Sequence, residues 1–183
     1  SARALATSSL NIFGDQQDVM AARQTGCAML AENSVQQVMD LSAVAHLVAI
    51  KGRVPFINFF DGFRASHDRQ RIARIDDAEL DGLLDRDAVD ASRRRALNPD
   101  HPVIRGTAQN PDIYFQERES VNDYYAALPA LVEETMQELA KITGREHHLF
   151  DYYGAKDAER IIIAIGSVCE TAIEAVDYLN SKG

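Results

Sequence analysis

Apolar residues fall in two rhythms along the chain, one suited to helices and one to buried strands. The clearest helical run follows Ser34: Val35, Val38, Met39, Ser42, Ala45, His46 and Ala49 share one face, and Leu41, Val44, Leu47 and Val48 cover much of the remainder. Ser34 with Gln37 three residues on is a capping box, which fixes the start of that helix. A helix apolar nearly all round is buried, and His46 is accordingly expected to be a packed, neutral core histidine. Through Gly52 the helix leads into residues 54–60, almost all apolar and rich in β-branched and aromatic types, as expected of a strand buried on both faces of a parallel sheet. With a brief strand expected over residues 27–31, the pattern is a strand–helix–strand crossover.

On either side the signals are shorter. Asp15 is placed to cap a helix running to Arg23. Residues 71–75 alternate like an edge strand or an extended connection, and residues 77–84 and 86–97 read as two helices. Pro99, Pro102 and Pro111 keep residues 98–112 extended over the surface, with Asn110-Pro111 starting the next helix. A long amphipathic helix over residues 121–142 is expected to kink or break at Pro129 and to close at Gly144. Beyond His147 and His148, expected to face solvent, residues 149–153 read as strand or linker and residues 160–165 as a buried strand. Ser167 with Glu170 then caps a last helix, and the Gly166-Ser167 turn resembles a phosphate-binding one. Helices on both faces of a parallel sheet make the fold α/β. One strand and one helix cannot form a domain, so residues 1–147 are expected to be the later part of one α/β domain and residues 148–183 the first elements of a second.

Charge narrows the partners. Lys and Arg number 19 against 28 Asp and Glu, a net charge of −9, which leaves no electrostatic footprint for nucleic acid or an anionic membrane. The Arg93-Arg94-Arg95 triple is balanced by Asp85, Asp87 and Asp90 on the same helix and reads as a solvated, ion-paired face. No apolar run has the length of a membrane span, and a cytoplasmic setting is expected. Cys27 and Cys169 stand far apart without a Cys-x-x-Cys, so they read as buried thiols and offer no zinc or iron–sulfur ligand set. The first residue is not methionine, and the opening reads as a piece of something longer.

In open α/β sheets ligands bind outside the carboxyl ends of the strands. The pattern therefore makes the loop after Phe60, with Asp61, Arg64, Ser66 and His67, the leading site candidate; His67 and His101 both follow polar breaks and could shape a site.

Six blocks carry a resemblance that patterning does not supply. They are Ile12-Phe13-Gly14-Asp15, Ala22-Arg23-Gln24-Thr25-Gly26, Phe59-Phe60-Asp61-Gly62-Phe63-Arg64, Asn98-Pro99-Asp100-His101-Pro102, the run from Arg105-Gly106-Thr107 through Asn110-Pro111-Asp112 to Phe115-Gln116, and Asp157-Ala158-Glu159-Arg160. In order and without a large gap, they resemble pyruvate:ferredoxin (flavodoxin) oxidoreductase. The resemblance implies a partial pyrimidine-binding-type domain of a thiamine-diphosphate-binding fold, followed by the start of a second domain. It also implies oxidative decarboxylation of pyruvate to acetyl-coenzyme A, with electrons passing through iron–sulfur clusters to ferredoxin or flavodoxin.

By the same resemblance Arg3 binds the pyruvate carboxylate, and Leu10 and Ile12 line the pocket. A planar guanidinium suits that role, because it holds a carboxylate through two parallel charge-assisted bonds. No catalytic or metal-binding residue is carried over. The family's glutamate and substrate-positioning threonine lie upstream of Ser1, and its diphosphate and divalent-metal site, coenzyme A domain and cluster cysteines lie in later domains. The chain alone is therefore expected to be inactive and to bind none of these cofactors, while the whole enzyme has pyruvate, coenzyme A, ferredoxin or flavodoxin and its own other domains as partners and forms a homo-oligomer. Cys27 departs from the aromatic common in the family, Ala65 from threonine and Glu117 from glycine, which puts strain at Glu117 in question if that glycine has positive φ. A related 2-oxoacid:ferredoxin oxidoreductase, or a non-catalytic α/β binding module, is the alternative.

Overall fold

The computed structural model describes residues 16–104 and 108–182. A short helix α1 (Gln17–Ala22) runs into a 3₁₀ turn (Arg23–Thr25), then strand β1 (Ala28–Glu32), helix α2 (Val35–Gly52) and strand β2 (Phe56–Phe60). The two strands pair in parallel, in register from Ala28 opposite Phe56 to Glu32 opposite Phe60, with α2 as the crossover.

The predicted box at α2 forms with one difference. Ser34 Oγ accepts from the Gln37 amide at 3.2 Å, while Gln37 Oε1 accepts from the amide of Asn33 at 3.0 Å rather than from that of Ser34. The helix ends at Arg53, in the left-handed region at φ 58°. That conformation is costly for a residue with a side chain. The Arg53 guanidinium donates to Tyr124 Oη at 2.6 Å and lies 4.8 Å from that ring's centroid, two contacts that offset the strain.

Five more helices follow: α3 (Asp77–Gly82), α4 (Arg86–Arg95), α5 (Pro111–Glu119), α6 (Asn122–Thr143) and α7 (Val168–Asn180). Asp76 makes a complete capping box with Glu79 at α3, and Asp85 caps α4 through the Ala88 amide at 2.9 Å. The core lies between β1, α2 and α6. Leu30, Leu41, Val44, Val48 and Val54 pack with Ile75 and with Leu128, Val132, Met136 and Leu139 of α6. Burying a side chain of this size contributes about 1.5–3 kcal/mol, so this layer is what holds α6 against the crossover. The spacing of Leu128, Val132, Met136 and Leu139 is that of one helical face, and α6 runs through Pro129 as a single element of 22 residues.

Several expectations change. Residues 160–165 are not a buried strand: Ile161, Ile162 and Ile163 are 66%, 87% and 95% exposed, and no strand among the described residues pairs with them. An apolar run becomes a strand only where a neighbour takes its backbone hydrogen bonds. Of the two readings of residues 71–75, the extended connection holds and the edge strand does not. Gln36 pins them, accepting from the Ala73 amide at 2.7 Å and donating to the Ala73 carbonyl at 3.1 Å, and Ile75 is buried. His46 is exposed, whereas His147 is buried. Ser167 makes no side-chain cap at α7. Glu117 lies inside α5 and has no positive φ, so its side chain brings no backbone strain there. Asp15 lies outside the described residues.

Candidate functional site at the carboxyl ends of the strands

Three groups of polar side chains are built around the crossover. The first lies on the sheet face toward α2. Strand side chains alternate, so Glu32 at the end of β1 shares a face with Leu30, which is in the core. Opposite Leu30 stands Asn58 of β2, whose Nδ2 donates to Ser42 Oγ of α2 at 2.7 Å. Glu32 is fully buried, and neither of its carboxyl oxygens has a hydrogen-bond partner; nor does Asn58 Oδ1. These are all acceptors, and a buried acceptor without a donor is costly. Burial pushes the Glu32 carboxyl up to about 8, with the backbone and the nearby Asn58 amide offsetting only part of the rise. At neutral pH this favours the protonated carboxyl of Glu32, which removes the ionic cost of its burial.

The second group is the loop after β2. Asp61 is nearly buried, and its main-chain carbonyl accepts from the amides of Ala65 at 3.1 Å and Ser66 at 3.3 Å. Phe63 holds a left-handed φ of 67°, and its amide donates to Ser66 Oγ at 2.8 Å. Ser66 Oγ also lies 2.8 Å from His67 Nδ1. The Asp61 side chain faces away from this loop: Oδ1 accepts from Gln16 Nε2 at 3.1 Å, and Oδ2 accepts from the Ser167 amide at 2.6 Å, 106 residues along the chain. The Gly166-Ser167 turn that resembles a phosphate site is thus filled by this carboxylate.

The third group lies under α2. Asp40 is fully buried and takes a two-pronged contact from Arg145, with Nε 2.7 Å from Oδ2 and the terminal nitrogen 2.8 Å from Oδ1. His147 Nε2 is 3.0 Å from Oδ2, and Gln36 Nε2 donates to Oδ1 at 3.1 Å. Burial alone raises the pKa of such a carboxyl, but the hydrogen bonds and charge of Arg145, with His147 and Gln36, outweigh it and hold Asp40 below the usual range. With every donor converging on one carboxylate, this cluster pins the end of α6 to the crossover helix. It is a structural tie rather than a reactive centre.

Arg3, Leu10 and Ile12 lie outside the described residues, so the pocket expected around Arg3 is not among these groups. The Asp61 loop is where the strand pattern places it, but its acid points to the last helix rather than to solvent. His101 is exposed and bridges to Asn98. His148 is partly exposed beside Glu133, Oε1 to Nδ1 2.7 Å, a pairing that raises the imidazole pKa and lowers that of the carboxyl. Cys27 and Cys169 are half-buried free thiols. Glu32, Asp40 and Arg145 carry no site expectation in the sequence; the one signal for the two acids is a charge on an element otherwise read as buried.

Comparison with known proteins decides the family. Residues 1–137 match the family described as pyruvate flavodoxin/ferredoxin oxidoreductase, thiamine diphosphate-binding. The chain belongs to this family. The pyruvate-flavodoxin oxidoreductase of Klebsiella pneumoniae is 70% identical over 183 residues, covering all of this chain and 16% of that protein. The pyruvate:ferredoxin oxidoreductase of Moorella thermoacetica is 60% identical over 182 residues, and a probable pyruvate-flavodoxin oxidoreductase of Escherichia coli is 50% identical over 182, each again over 16% of its length. The chain thus spans about 16% of the length of these curated relatives. The resemblance read from the six blocks holds, as does the α/β class with its parallel sheet.

Family membership implies thiamine diphosphate, and the described residues do not fit its diphosphate and metal. No group of three or more His, Cys, Asp or Glu among them could hold a divalent ion beside a diphosphate. The glycine-plus-helix turn at Gly166 has Asp61 in the anion position, so its negative charge would repel a diphosphate there. No helix among the described residues is long and apolar enough to cross a membrane.

Proposed function

We propose that the chain contributes the substrate side of a pyruvate:ferredoxin or flavodoxin oxidoreductase. In this reading residues 1–147 are the later part of the pyrimidine-binding-type domain, and residues 148–183 open a second one. The whole enzyme decarboxylates pyruvate oxidatively to acetyl-coenzyme A and hands the electrons to ferredoxin or flavodoxin in the cytoplasm. Membership of the thiamine diphosphate-binding family over residues 1–137 is the observation that carries this reading. Cofactor, divalent metal, iron–sulfur clusters and coenzyme A belong, in this reading, to other parts of the intact polypeptide.

Arg3 is the substrate anchor. Its guanidinium takes the pyruvate carboxylate through two parallel bonds, which orients the carbonyl carbon, and Leu10 and Ile12 keep the wall beside it apolar. An apolar wall favours a step in which a charged carboxylate leaves as neutral carbon dioxide.

Steady-state kinetics of the intact oxidoreductase test the assignment. Arg3→Ala is expected to raise the KM for pyruvate and to lower kcat, with kcat/KM falling at least about tenfold, the size of a lost hydrogen bond to a charged group. The KM for coenzyme A is expected to stay where it was. Unchanged pyruvate kinetics would remove Arg3 from the substrate site.

A further inference from the structure

Two features that the sequence marks separately, the Asp61-Gly62 break after β2 and the Gly166-Ser167 turn before α7, meet in the fold. We propose that Asp61 is an internal latch: its carboxylate serves as the capping anion of α7 and fixes residues 148–183 onto the carboxyl end of β2, and residue 166 is glycine because only glycine admits it.

Four observations converge. The Ser167 amide donates to Asp61 Oδ2 at 2.6 Å, a short, charge-assisted bond at the positive end of a 13-residue helix. Ser167 makes no side-chain cap of its own, and the side-chain acceptor at this end of α7 comes from Asp61. Gly166 sits at φ 81°, and a Cβ there would lie 2.8 and 2.9 Å from the two Asp61 oxygens. No side chain fits that position while Asp61 remains in place. Finally, Asp61 is tied on its other oxygen to Gln16 and through its main chain to Ala65 and Ser66. Asp61 is therefore anchored independently of α7, its carboxylate by Gln16 and its backbone by the loop after β2. Asp61 is a positioning residue in this arrangement.

The latch has a built-in reporter. Cys169 is the second residue of α7, its amide bonded to the Gly166 carbonyl at 3.0 Å. Burial, and then the Asp61 charge, push the Cys169 thiol up. Opening the latch exposes this thiol and removes the charge that suppresses its ionisation.

The test is a double-mutant cycle in the intact oxidoreductase polypeptide, reading alkylation of Cys169 by iodoacetamide with peptide mass spectrometry. Asp61→Ala and Gly166→Ala are each expected to speed alkylation about tenfold. In the double variant the second change adds little, because both act on one contact. Additive effects, or no acceleration in Asp61→Ala, would overturn the latch. Should either variant fail to fold, Asp61→Asn decides the question, since it keeps one acceptor oxygen for the Ser167 amide and loses the charge, at the expense of the oxygen that Gln16 meets. Its alkylation profile is expected to move to lower pH; a profile superimposed on that of the parent protein would also overturn the proposal.

Discussion

Arg145→Ala is expected to destabilise the chain by about 3–5 kcal/mol, because it leaves the carboxylate of Asp40 buried with its strongest partner gone. His147 and Gln36 remain, but neither supplies the paired guanidinium donors that match both carboxylate oxygens. The loss should spread along two routes: through Gln36, which also holds Ala73, and through the end of α6, where Arg145 follows the Gly144 cap. Urea denaturation measures it, and Arg145→Lys should recover the charge without the fork and fall between the two. Asp40 also fixes the sign of the acid limb. A depressed carboxyl stabilises the fold fully above its ordinary pKa of 3.8, and that stability is lost as pH falls below it. The alanine variant should therefore lose less on acidification than the parent. A difference under about 1 kcal/mol would mean that Asp40 has relaxed into a neutral or solvated form.

The parts of the fold legible in the sequence are those where local chemistry and tertiary context agree. Ser34 with Gln37, the apolar surface of α2 and the aromatic run of β2 each specify their element alone, and the crossover follows from their order. Residues 160–165 mark the limit of that reasoning. Their isoleucines read as strand on propensity, but a strand is a pairing between segments, and the partner is not a property of the segment itself. His46 and His147 err in opposite directions for one reason. Helical spacing puts His46 among apolar neighbours, yet it falls at the exposed edge of a face whose Ala45 is in the core, and His147 is drawn inward by an acid 107 residues away.

The site follows the same division. The rule that ligands gather at the carboxyl ends of strands points to Asp61, and the structure gives that residue a specific partner. That the partner is the last helix depends on chain folding over 106 residues, which no local pattern encodes. The weak likeness of Gly166-Ser167 to a phosphate cradle was physically apt: the turn does take an anion, supplied by the protein itself. The Asp40–Arg145 tie is less legible still. On sequence Asp40 reads as one polar position in a buried helix, and Arg145 as a residue after a helix stop.

Glu32→Gln is expected to stabilise the chain, by about 2–4 kcal/mol at pH 8 once residual solvent screening is allowed for, and hardly at all near pH 4.5. The sign follows from the raised carboxyl. Below about 4.5 both folded and unfolded chains carry the proton, and burial brings no ionic penalty. Between 4.5 and about 8 the unfolded chain has ionised while the folded one holds its proton, so the parent loses up to about 1.4 kcal/mol per pH unit. Above 8 the loss is complete and the gap between parent and variant becomes constant. Glutamine carries no such ionic cost. Urea midpoints of parent and variant from pH 5 to 9 give the curve, and the infrared band of a protonated carboxyl, present at pH 7 and absent in the variant, gives the state of the group directly. Parallel stability curves would show Glu32 already ionised and paired. A gap that opens with pH means that the chain keeps, at the carboxyl end of β1, an acid that weakens its own fold. A buried acid that costs stability in this way is the kind of group that perturbed pKa values mark out in functional sites.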